Sequence, residues 1–462
     1  MKTQLKLATF ALLSTFILQP SSLLAQGSLT PPGAPAPTMK TLAQIEPRTA
    51  INSAGAVTIS QSGSYYLTTN LTVATGDAIT ITANGVTLDL NGFTISSTAP
   101  SATGTAILFG GPRSNVAIYN GHISSGVTNT AAGVFSGVGF GYGITGSGLS
   151  NVRVKDVSVA GVLFNGINVG LSISTVVEAC AVNVAGSFGI VAASVSDSTA
   201  VNCGGVGINA NTMHNCTGQG IGSGTGLSGA IVNNGYGTSS GSGYGVQANA
   251  ANNCYGTSST GVGLSAATAN NCYGTSSTGN GLNATTANNC SGTSSGSGIG
   301  LNASATATGC YGTSSSGIGL YATTANNWSG TSSGSGKGLY ASATATGCYG
   351  TSSTGDGLSA TAANNCSGTS SSGYGLFASG IATGCYGTSP NGDGLRANIA
   401  NNCYGTSSSG YGLYASEIAI GCYGASSSWT GLYTQIGNSC RGTANASIGG
   451  TGLNVLHNIN CF

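Results

Sequence analysis

The chain has 462 residues, a formal net charge of +1 and only 4% charged residues, while Gly alone numbers 79. Ordinary proteins carry about 25% charged residues, so the surface must consist mostly of Ser, Thr, Asn and Gly. A nearly neutral chain has no field that attracts nucleic acid or acidic lipid, and we expect no nucleic-acid partner. Because 40% of the residues are apolar and recur periodically, the composition indicates an ordered chain rather than a disordered one.

The N-terminus is predicted to direct export. In residues 1–25, Lys2 and Lys6 form a basic start, and the apolar run that follows is too short to span a membrane, as in a secretory signal peptide. Residues 26–50 are rich in Pro and are predicted to be an extended linker. No later apolar stretch is long enough to cross a bilayer, so we expect a secreted or cell-surface protein without a membrane span in the mature chain.

Residues 51–150 show the period of two that is typical of β-strands. Ile79 and Ile81 alternate with polar residues, and Asn-Gly pairs at 84–85 and 91–92 predict turns. We expect this region to form an N-terminal cap and the first irregular coils.

A block of about 18 to 20 residues recurs through most of residues 151–462. Each copy reads approximately C-Y-G-T-S-S, followed by Gly, any residue and Gly-Leu. A fixed period of this size predicts a solenoid, in which each repeat packs on its neighbours. The Cys of successive blocks are Cys254, Cys272, Cys290, Cys310, Cys348, Cys366, Cys385, Cys403, Cys422 and Cys440.

The irregular coils resemble a known family. The segment V-T-L-D-L-N-G-F-T-I-S at 86–96 returns as S-N-V-A-I-Y-N-G-H-I-S at 114–124, and Gly-Ile and Asn-Cys corners follow about 23 residues apart. These units resemble the right-handed parallel β-helix proteins of the pectate-lyase-like superfamily, and the linker at 29–42 resembles that of exported bacterial β-helix proteins of unknown role. The resemblance implies the fold and leaves the activity open, since the superfamily mixes enzymes, adhesins and fibre proteins.

Alignment of the two kinds of coil predicts which side chains point inward. When Val154 and Val157 are matched to Ala269 and Cys272, each regular coil buries about one Leu, two Ala, one Cys and one Gly, and Ser276 is placed at the turn that follows. The predicted fold class is therefore all-β, a right-handed parallel β-helix (a three-sided β-solenoid) with coils of about 18 to 23 residues. A left-handed β-helix and a calcium β-roll are disfavoured, because the aliphatic spacing is irregular and no regular Asp recurs.

The recurring Cys predict a ladder of buried thiols. Equivalent residues of adjacent coils have α-carbons about 4.8 Å apart, which a disulfide permits, but in-register β-carbons lie farther apart than it prefers. Small buried hydrophobic thiols and neighbour disulfides both remain open. One sulfur per coil cannot surround a tetrahedral ion, so neither a metal nor any other cofactor is expected.

Two outward aromatic columns accompany the repeats, one after the Cys and one after the Leu. Stacked rings can stabilise a solenoid face, and an exposed aromatic strip can also bind a polysaccharide or another cell-surface molecule. The Asn before the Cys are predicted to be structural corner residues. The candidate binding surface is the column after the Leu, with Tyr321, Tyr340, Phe377, Tyr414 and Tyr433.

The chain has only 9 Asp and Glu residues, so each can be considered as a catalytic acid or base. Asp356 and Asp393 occupy one column two coils apart, about 9.6 Å by strand spacing, near the upper edge of the separation in inverting glycosidases. Tyr374 separates them, and Lys337 is predicted to pair with Asp356, as Lys155 is with Glu178. We treat both Asp as weak catalytic candidates. The acid clusters and sequence blocks that the resemblance would require for lyase or polygalacturonase chemistry are absent.

The sequence therefore favours a non-catalytic, structural or adhesin-like rod that displays columns of Tyr, Ser, Thr and Asn. A polysaccharide-binding or polysaccharide-degrading β-helix is the alternative, with its site in residues 100–215 or around Asp356. A minor alternative is an ice-binding solenoid, in which regular Thr and Ser arrays contact ice.

Overall fold

The computed structural model describes residues 45–131, 133–444 and 450–462. The expected signal peptide and the linker up to residue 44 lie outside this part. The chain divides into two compact units, residues 1–48 and 49–462. Of the first unit only residues 45–48 are described, where Arg48 Nε lies 2.8 Å from Glu46 Oε1.

The second unit confirms the predicted all-β class. Its strands pair in parallel between successive coils, which makes it a parallel β-helix. In the described ranges, helix is assigned at Ile45 alone. The strands of the first coils are Thr49–Ile51, Val57–Ile59, Gly63–Leu67, Leu71–Val73, Ile79–Ile81, Val86–Asp89, Thr94–Ser97, Thr105–Phe109, Ser114–Ser124, Gly126–Ala131, Val134–Val138, Tyr142–Thr145, Ser150–Val162, Ile167–Gly170, Thr175–Glu178, Ala181–Ala185, Ile190–Ser196 and Thr199–Cys203.

From residue 208 onward each coil contributes one long strand and one short strand. The long strands are Ile208–His214, Leu227–Asn233, Val246–Asn252, Leu264–Asn270, Leu282–Asn288, Leu301–Thr308, Leu320–Asn326, Leu339–Thr346, Leu358–Asn364, Leu376–Thr383, Leu395–Asn401, Leu413–Ile420, Leu432–Asn438 and Leu453–Ile459. The short strands are Thr217–Gly220, Tyr236–Ser239, Tyr255–Ser258, Tyr273–Ser276, Ser291–Ser294, Tyr311–Ser314, Ser329–Ser332, Tyr349–Ser352, Ser367–Ser370, Tyr386–Ser389, Tyr404–Ser407, Tyr423–Ser426 and Arg441–Ala444.

Each long strand bends in its middle, which gives the coil three paired segments. In Leu264–Asn270, the first three residues and the last three pair with the next coil, while Ala267 between them does not. The short strand Tyr273–Ser276 supplies the third segment. One hairpin, formed by Gly126–Ala131 and Val134–Val138, pairs antiparallel and departs from this parallel arrangement. Phe135 of the hairpin lies against Gly186 and Gly204 of the coils.

The core is a set of columns, one side chain per coil. Leu282, Ala284, Ala287 and Cys290 are all buried, as the alignment predicts. One further inward residue differs from the prediction, which placed Ser276 at a turn. Ser276 is buried, and its hydroxyl donates to the Gly261 carbonyl of the preceding coil at 2.6 Å. A serine fits the core because its own turn and the neighbouring coil satisfy the hydroxyl.

The corner before the Cys uses the left-handed backbone region. Asn271 and Asn289 have φ of 51°, and Gly309 and Gly347 have φ of 62° at the equivalent corner of other coils. Asn and Gly are the residues that tolerate this conformation at least cost. A Cβ added to Gly309 would lie 2.5 Å from Asn289 Oδ1. Asn234 and Asn253 nevertheless follow each other at this corner, so the left-handed backbone, rather than crowding, selects Asn and Gly.

Candidate functional site

The Cys column is buried and lies between backbone carbonyls. Cys272 Sγ lies 3.2 Å from the Asn270 carbonyl oxygen and 3.3 Å from that of Ala251. All fourteen Cys are free thiols in the structure, and Cys461 alone of them is half-buried rather than buried. Burial raises the pKa of Cys180 to about 11 and of Cys203 to about 12. Neutral S–H groups can donate to these carbonyls, whereas a thiolate would face their negative ends.

We expect thiol titration to find the ladder reduced and protected. In the native protein Cys461 should react quickly with a thiol reagent, and the buried thiols should react only after denaturation, when nearly all 14 should be counted. The Cys461→Ser variant should lose the fast phase and keep the slow one. A count near zero after denaturation without reductant would establish neighbour disulfides instead.

The aromatic column after the Cys is a ring stack. Tyr236 and Tyr255 lie with ring centroids 5.2 Å apart at an interplanar angle of 8°. Tyr386 and Tyr404 repeat this arrangement at 5.0 Å. Because parallel rings cover each other's faces, this column stabilises the coil stack and presents ring edges to solvent.

The outward column after the Leu runs in register along the same face of the coils. Its residues change from amides and hydroxyls to aromatic and charged side chains. In chain order the column is Asn209, Ser228, Gln247, Ser265, Asn283, Asn302, Tyr321, Tyr340, Ser359, Phe377, Arg396, Tyr414, Tyr433 and Asn454.

The aromatic end of this column joins a second row, the residues before each Gly-Leu. Together with Trp429, which lies one residue before that row, they form a cluster that we call the aromatic strip: Tyr374, Phe377, Arg396, Tyr411, Tyr414, Trp429 and Tyr433. Tyr414 and Tyr433 stack at 4.9 Å, while Tyr411 is tilted by 57° to Tyr433 and lies edge-on to Trp429. Trp429 is 53% exposed. The rings thus point in several directions, unlike the parallel stack after the Cys.

Arg396 lies between the two halves of the strip. Its guanidinium lies 4.5 Å from the Tyr414 ring centroid and 5.3 Å from that of Tyr374, and Nη1 donates to the Tyr374 hydroxyl at 3.2 Å. The same nitrogen lies 3.3 Å from Asp393 Oδ2. Cation–π contact and an ion pair hold the planar guanidinium flat against the face.

Asp393 is a structural carboxylate. Burial raises its pKa, against the lowering effects of the Tyr411 backbone N–H and of Arg396. The Tyr411 N–H donates to Asp393 Oδ1 at 3.0 Å. Asp393 thus has backbone and guanidinium partners for its two oxygens.

Asp356, the other carboxylate of this row, also has structural partners. Lys337 Nζ lies 3.3 Å from Asp356 Oδ2, the ion pair that the sequence predicts, and it donates to Ser359 Oγ at 2.9 Å. The Tyr374 N–H donates to Asp356 Oδ1 at 3.3 Å. Tyr374 lies in the row between the two Asp. Each of the two Asp is thus held by a cation and by a backbone N–H of the following coil.

The acids of the irregular coils have structural partners as well. Glu178 Oε1 lies 2.8 Å from Lys155 Nζ, the predicted ion pair, and Oε2 lies 3.1 Å from Arg153 Nη1. The Lys155 hydrogen bond lowers the pKa of Glu178. Asp156 and Asp197 are corner residues with φ of 52° and 50°. These acids belong to the same left-handed corner as the Asn of later coils.

The sequence N-G-H-I predicts a turn or core position for His122, and the structure contradicts this prediction. It is exposed on Ser114–Ser124, and its Nδ1 lies 2.7 Å from Ser158 Oγ on the next coil. A catalytic serine needs a third group that orients the base and donors for an oxyanion. No hydrogen bond from another side chain to His122 accompanies this pair in the described residues, and we assign it no catalytic role.

Sequence reasoning found part of the strip and missed the rest. The column after the Leu was readable from the repeat, but Arg396, Tyr411 and Trp429 were not assigned to the binding surface. The signal that could have identified them is the spacing x-Gly-Leu-x. It places the two residues marked x on one outward face, as the ion pair of Asp393 and Arg396 shows. The preceding coil has no aromatic residue at the position of Trp429, so the repeat does not indicate that Trp429 belongs to the strip. Its ring contact with Tyr411 in the structure does.

Comparisons with known proteins identify no family. No family model matches the chain, and no curated protein matches it. Among solved structures, the crystal structure of the Dettilon tailspike protein matches with 13% sequence identity and a TM-score of 0.27. The match covers 81% of this chain and 59% of the tailspike chain, less than two thirds of its length. A likeness this distant carries no argument about activity.

In the part of the chain that the structure describes, no helix is long and apolar enough to cross a membrane. In the same residues, no group of three or more His, Cys, Asp or Glu is arranged to hold a metal ion.

Proposed function

We propose that this protein is an exported, non-catalytic β-helix rod that binds a polysaccharide or another cell-surface molecule through the aromatic strip. The observation that carries the proposal is the cluster around Arg396, in which Tyr374, Tyr414 and their neighbours present rings, hydroxyls and a guanidinium on one face. Export is supported by the basic and apolar pattern of residues 1–25.

The chemistry of the strip suits a sugar surface. Apolar C–H faces of sugars pack on exposed aromatic rings, while their hydroxyls bond to polar ring edges. Trp429 exposes about half of its surface, and the Tyr414–Tyr433 pair presents outward edges because its faces are stacked. Weak contacts of this kind add up when the ligand repeats along the coils.

The partners of the carboxylates support the absence of catalysis. An inverting glycosidase needs one protonated acid, one base and a water between them. Asp356 is paired with Lys337 and Asp393 with Arg396, and both accept a backbone N–H. Their oxygens are used to hold the turn and the cation.

We expect the double variant Tyr414→Ala/Tyr433→Ala to weaken binding to its best ligand on a panel of neutral and acidic polysaccharides by about tenfold or more. Binding is measured by Trp fluorescence, since Trp429 lies in the strip and Trp328, the other Trp, is buried. The matched control is Tyr236→Ala/Tyr255→Ala, which removes an equally stacked pair from the other column. It should bind as the unmodified protein does.

Equal losses in both double variants would contradict the assignment of binding to the strip. The degradative alternative predicts a different outcome, namely release of reducing ends or unsaturated sugars from the same panel. If such activity appeared and vanished in Asp356→Asn or Asp393→Asn, the non-catalytic proposal would be wrong.

Ice binding is a weaker alternative. A Thr column does run in register on the short strands, with Thr275 Oγ1 donating to Thr257 Oγ1 at 3.1 Å. The neighbouring column, however, alternates between Ser and Tyr, as at Ser291 and Tyr311. Tyr311 is 46% exposed and rises above the Thr, so the surface is not flat.

A further inference from the structure

A polar groove lies at the other end of the outward column. It has a volume of about 580 Å³ and extends over the coils between Asn209 and Thr285. Its lining includes two rows of amides, Asn209 and Gln247 in one and Asn211 and Asn249 in the other, with Ala210 and Ala248 between them in the chain. Asn211, Gln247 and Asn249 are exposed.

The groove follows from a uniform strand length. The five long strands from Ile208–His214 to Leu282–Asn288 each have 7 residues. From Leu301–Thr308 to Leu432–Asn438, strands of 8 and 7 residues alternate. The added residue lies at the bend, where Ser304 and Ala305 replace the single Thr285. The groove thus lies where the bends are uniform, and every second later coil has an extra residue at the bend.

The lining of the groove defines the chemistry of its ligand. Every lining residue is Asn, Gln, Ser, Thr, Ala or Gly, so the groove has no charged group. Amides and hydroxyls both donate and accept hydrogen bonds, which complements a ligand rich in hydroxyls. Recognition of carboxylate, sulfate or phosphate groups relies on Arg or Lys, and the groove has neither.

The direction of the groove defines the ligand's shape. Successive coils repeat about every 4.8 Å, so four steps from Asn209 to Asn283 extend about 19 Å along the solenoid axis. Each coil offers an amide or hydroxyl at the same place in this column. A chain that lies parallel to the axis meets one such group per coil, whereas a branched or compact ligand does not.

We infer that the groove binds an uncharged, unbranched polysaccharide whose chain runs parallel to the solenoid axis. The inference rests on the proposed function and names its ligand class. The same column continues from Asn302 to Tyr321 and into the aromatic strip. One long chain can therefore contact the groove and the strip together, and the two contacts reinforce each other.

The test uses the full chain and linear neutral oligosaccharides of glucose, xylose, mannose and galactose, two and eight sugars long. Binding by calorimetry should be at least about tenfold tighter for the best octasaccharide than for its disaccharide.

Gln247→Ala/Asn249→Ala should weaken octasaccharide binding about fivefold to fiftyfold, because two hydrogen bonds are lost. Asn398→Ala, which changes an exposed Asn on a later coil outside the groove, should leave octasaccharide binding unchanged. A thermal melt of each variant verifies folding.

The outcomes separate this inference from the proposed function. If the groove variant binds normally while Tyr414→Ala/Tyr433→Ala does not, the strip is the site and the groove inference is wrong. Tighter binding of an acidic octagalacturonate than of every neutral octasaccharide would also overturn the inference. If no polysaccharide or oligosaccharide binds, both the groove inference and glycan binding by the strip fail.

Discussion

Replacement of Gly338 by Val is expected to unfold the coils around it. A Cβ at Gly338 would overlap the backbone of Thr351 and the carbonyl oxygen of Gly357. These atoms belong to the coil's own interior and to the next coil, where the backbones approach too closely for any side chain. Overpacking against backbone that cannot move costs about 3 kcal/mol or more.

The loss should be local, because a solenoid coil contacts only its neighbours. In hydrogen exchange, amides of Leu320–Asn326 and Leu358–Asn364 should lose protection, whereas those of Val86–Asp89 should keep it. In a Trp429→Phe background, the emission of buried Trp328 should shift to the red. Ser335→Val, an exposed change two residues before Lys337, is the control and should alter neither readout. If Gly338→Val left the hydrogen-exchange protection of these strands unchanged, the close approach of the backbones at Gly338 would be contradicted.

Truncation of Leu358 is expected to have the second largest effect. Leu358 is fully buried, and its coil has otherwise only Ala360, Ala363 and Cys366 as buried apolar side chains. Removal of a Leu side chain from a packed core costs about 2–5 kcal/mol, and the upper part of the range applies where the site cannot collapse. Backbone hydrogen bonds to both neighbouring coils hold this strand in place, so the cavity should persist.

The measurement is urea denaturation followed by Tyr fluorescence, with exchange protection as a local probe. Ile420→Ala is the matched control, because Ile420 is 43% exposed and loses a similar aliphatic side chain. Its cost should be below about 1 kcal/mol. Similar costs for the two variants would mean that the Leu column does not carry the stability of the coils.

A thin core explains why both changes should matter. Each regular coil buries one Leu and several small side chains, so little apolar surface supports the coil. The remaining order comes from the parallel ladder and from buried hydroxyls such as Ser276 and Ser352, which bond to Gly carbonyls. Small side chains are required because the backbones are close, and this closeness makes the glycines irreplaceable.

The Tyr columns show how far a repeat can predict a site. Register follows from the period alone, so the columns after the Cys and after the Leu were both readable from the sequence. Ring orientation was not readable, since it depends on neighbours in other rows. The stack of Tyr236 and Tyr255 and the mixed cluster around Tyr411 differ for this reason.

The repeat alone predicts the parallel β-helix, the inward Leu, Ala and Cys columns, and the Lys337–Asp356 and Lys155–Glu178 pairs. These features follow from a period and from the alternation of inward and outward residues, which are local properties. The three-dimensional arrangement was needed to show that Ser276 is buried, that Arg396 lies between Tyr374 and Tyr414, and that a groove lies at Gln247. Those features depend on how several coils align in space, and a single repeat does not contain that information.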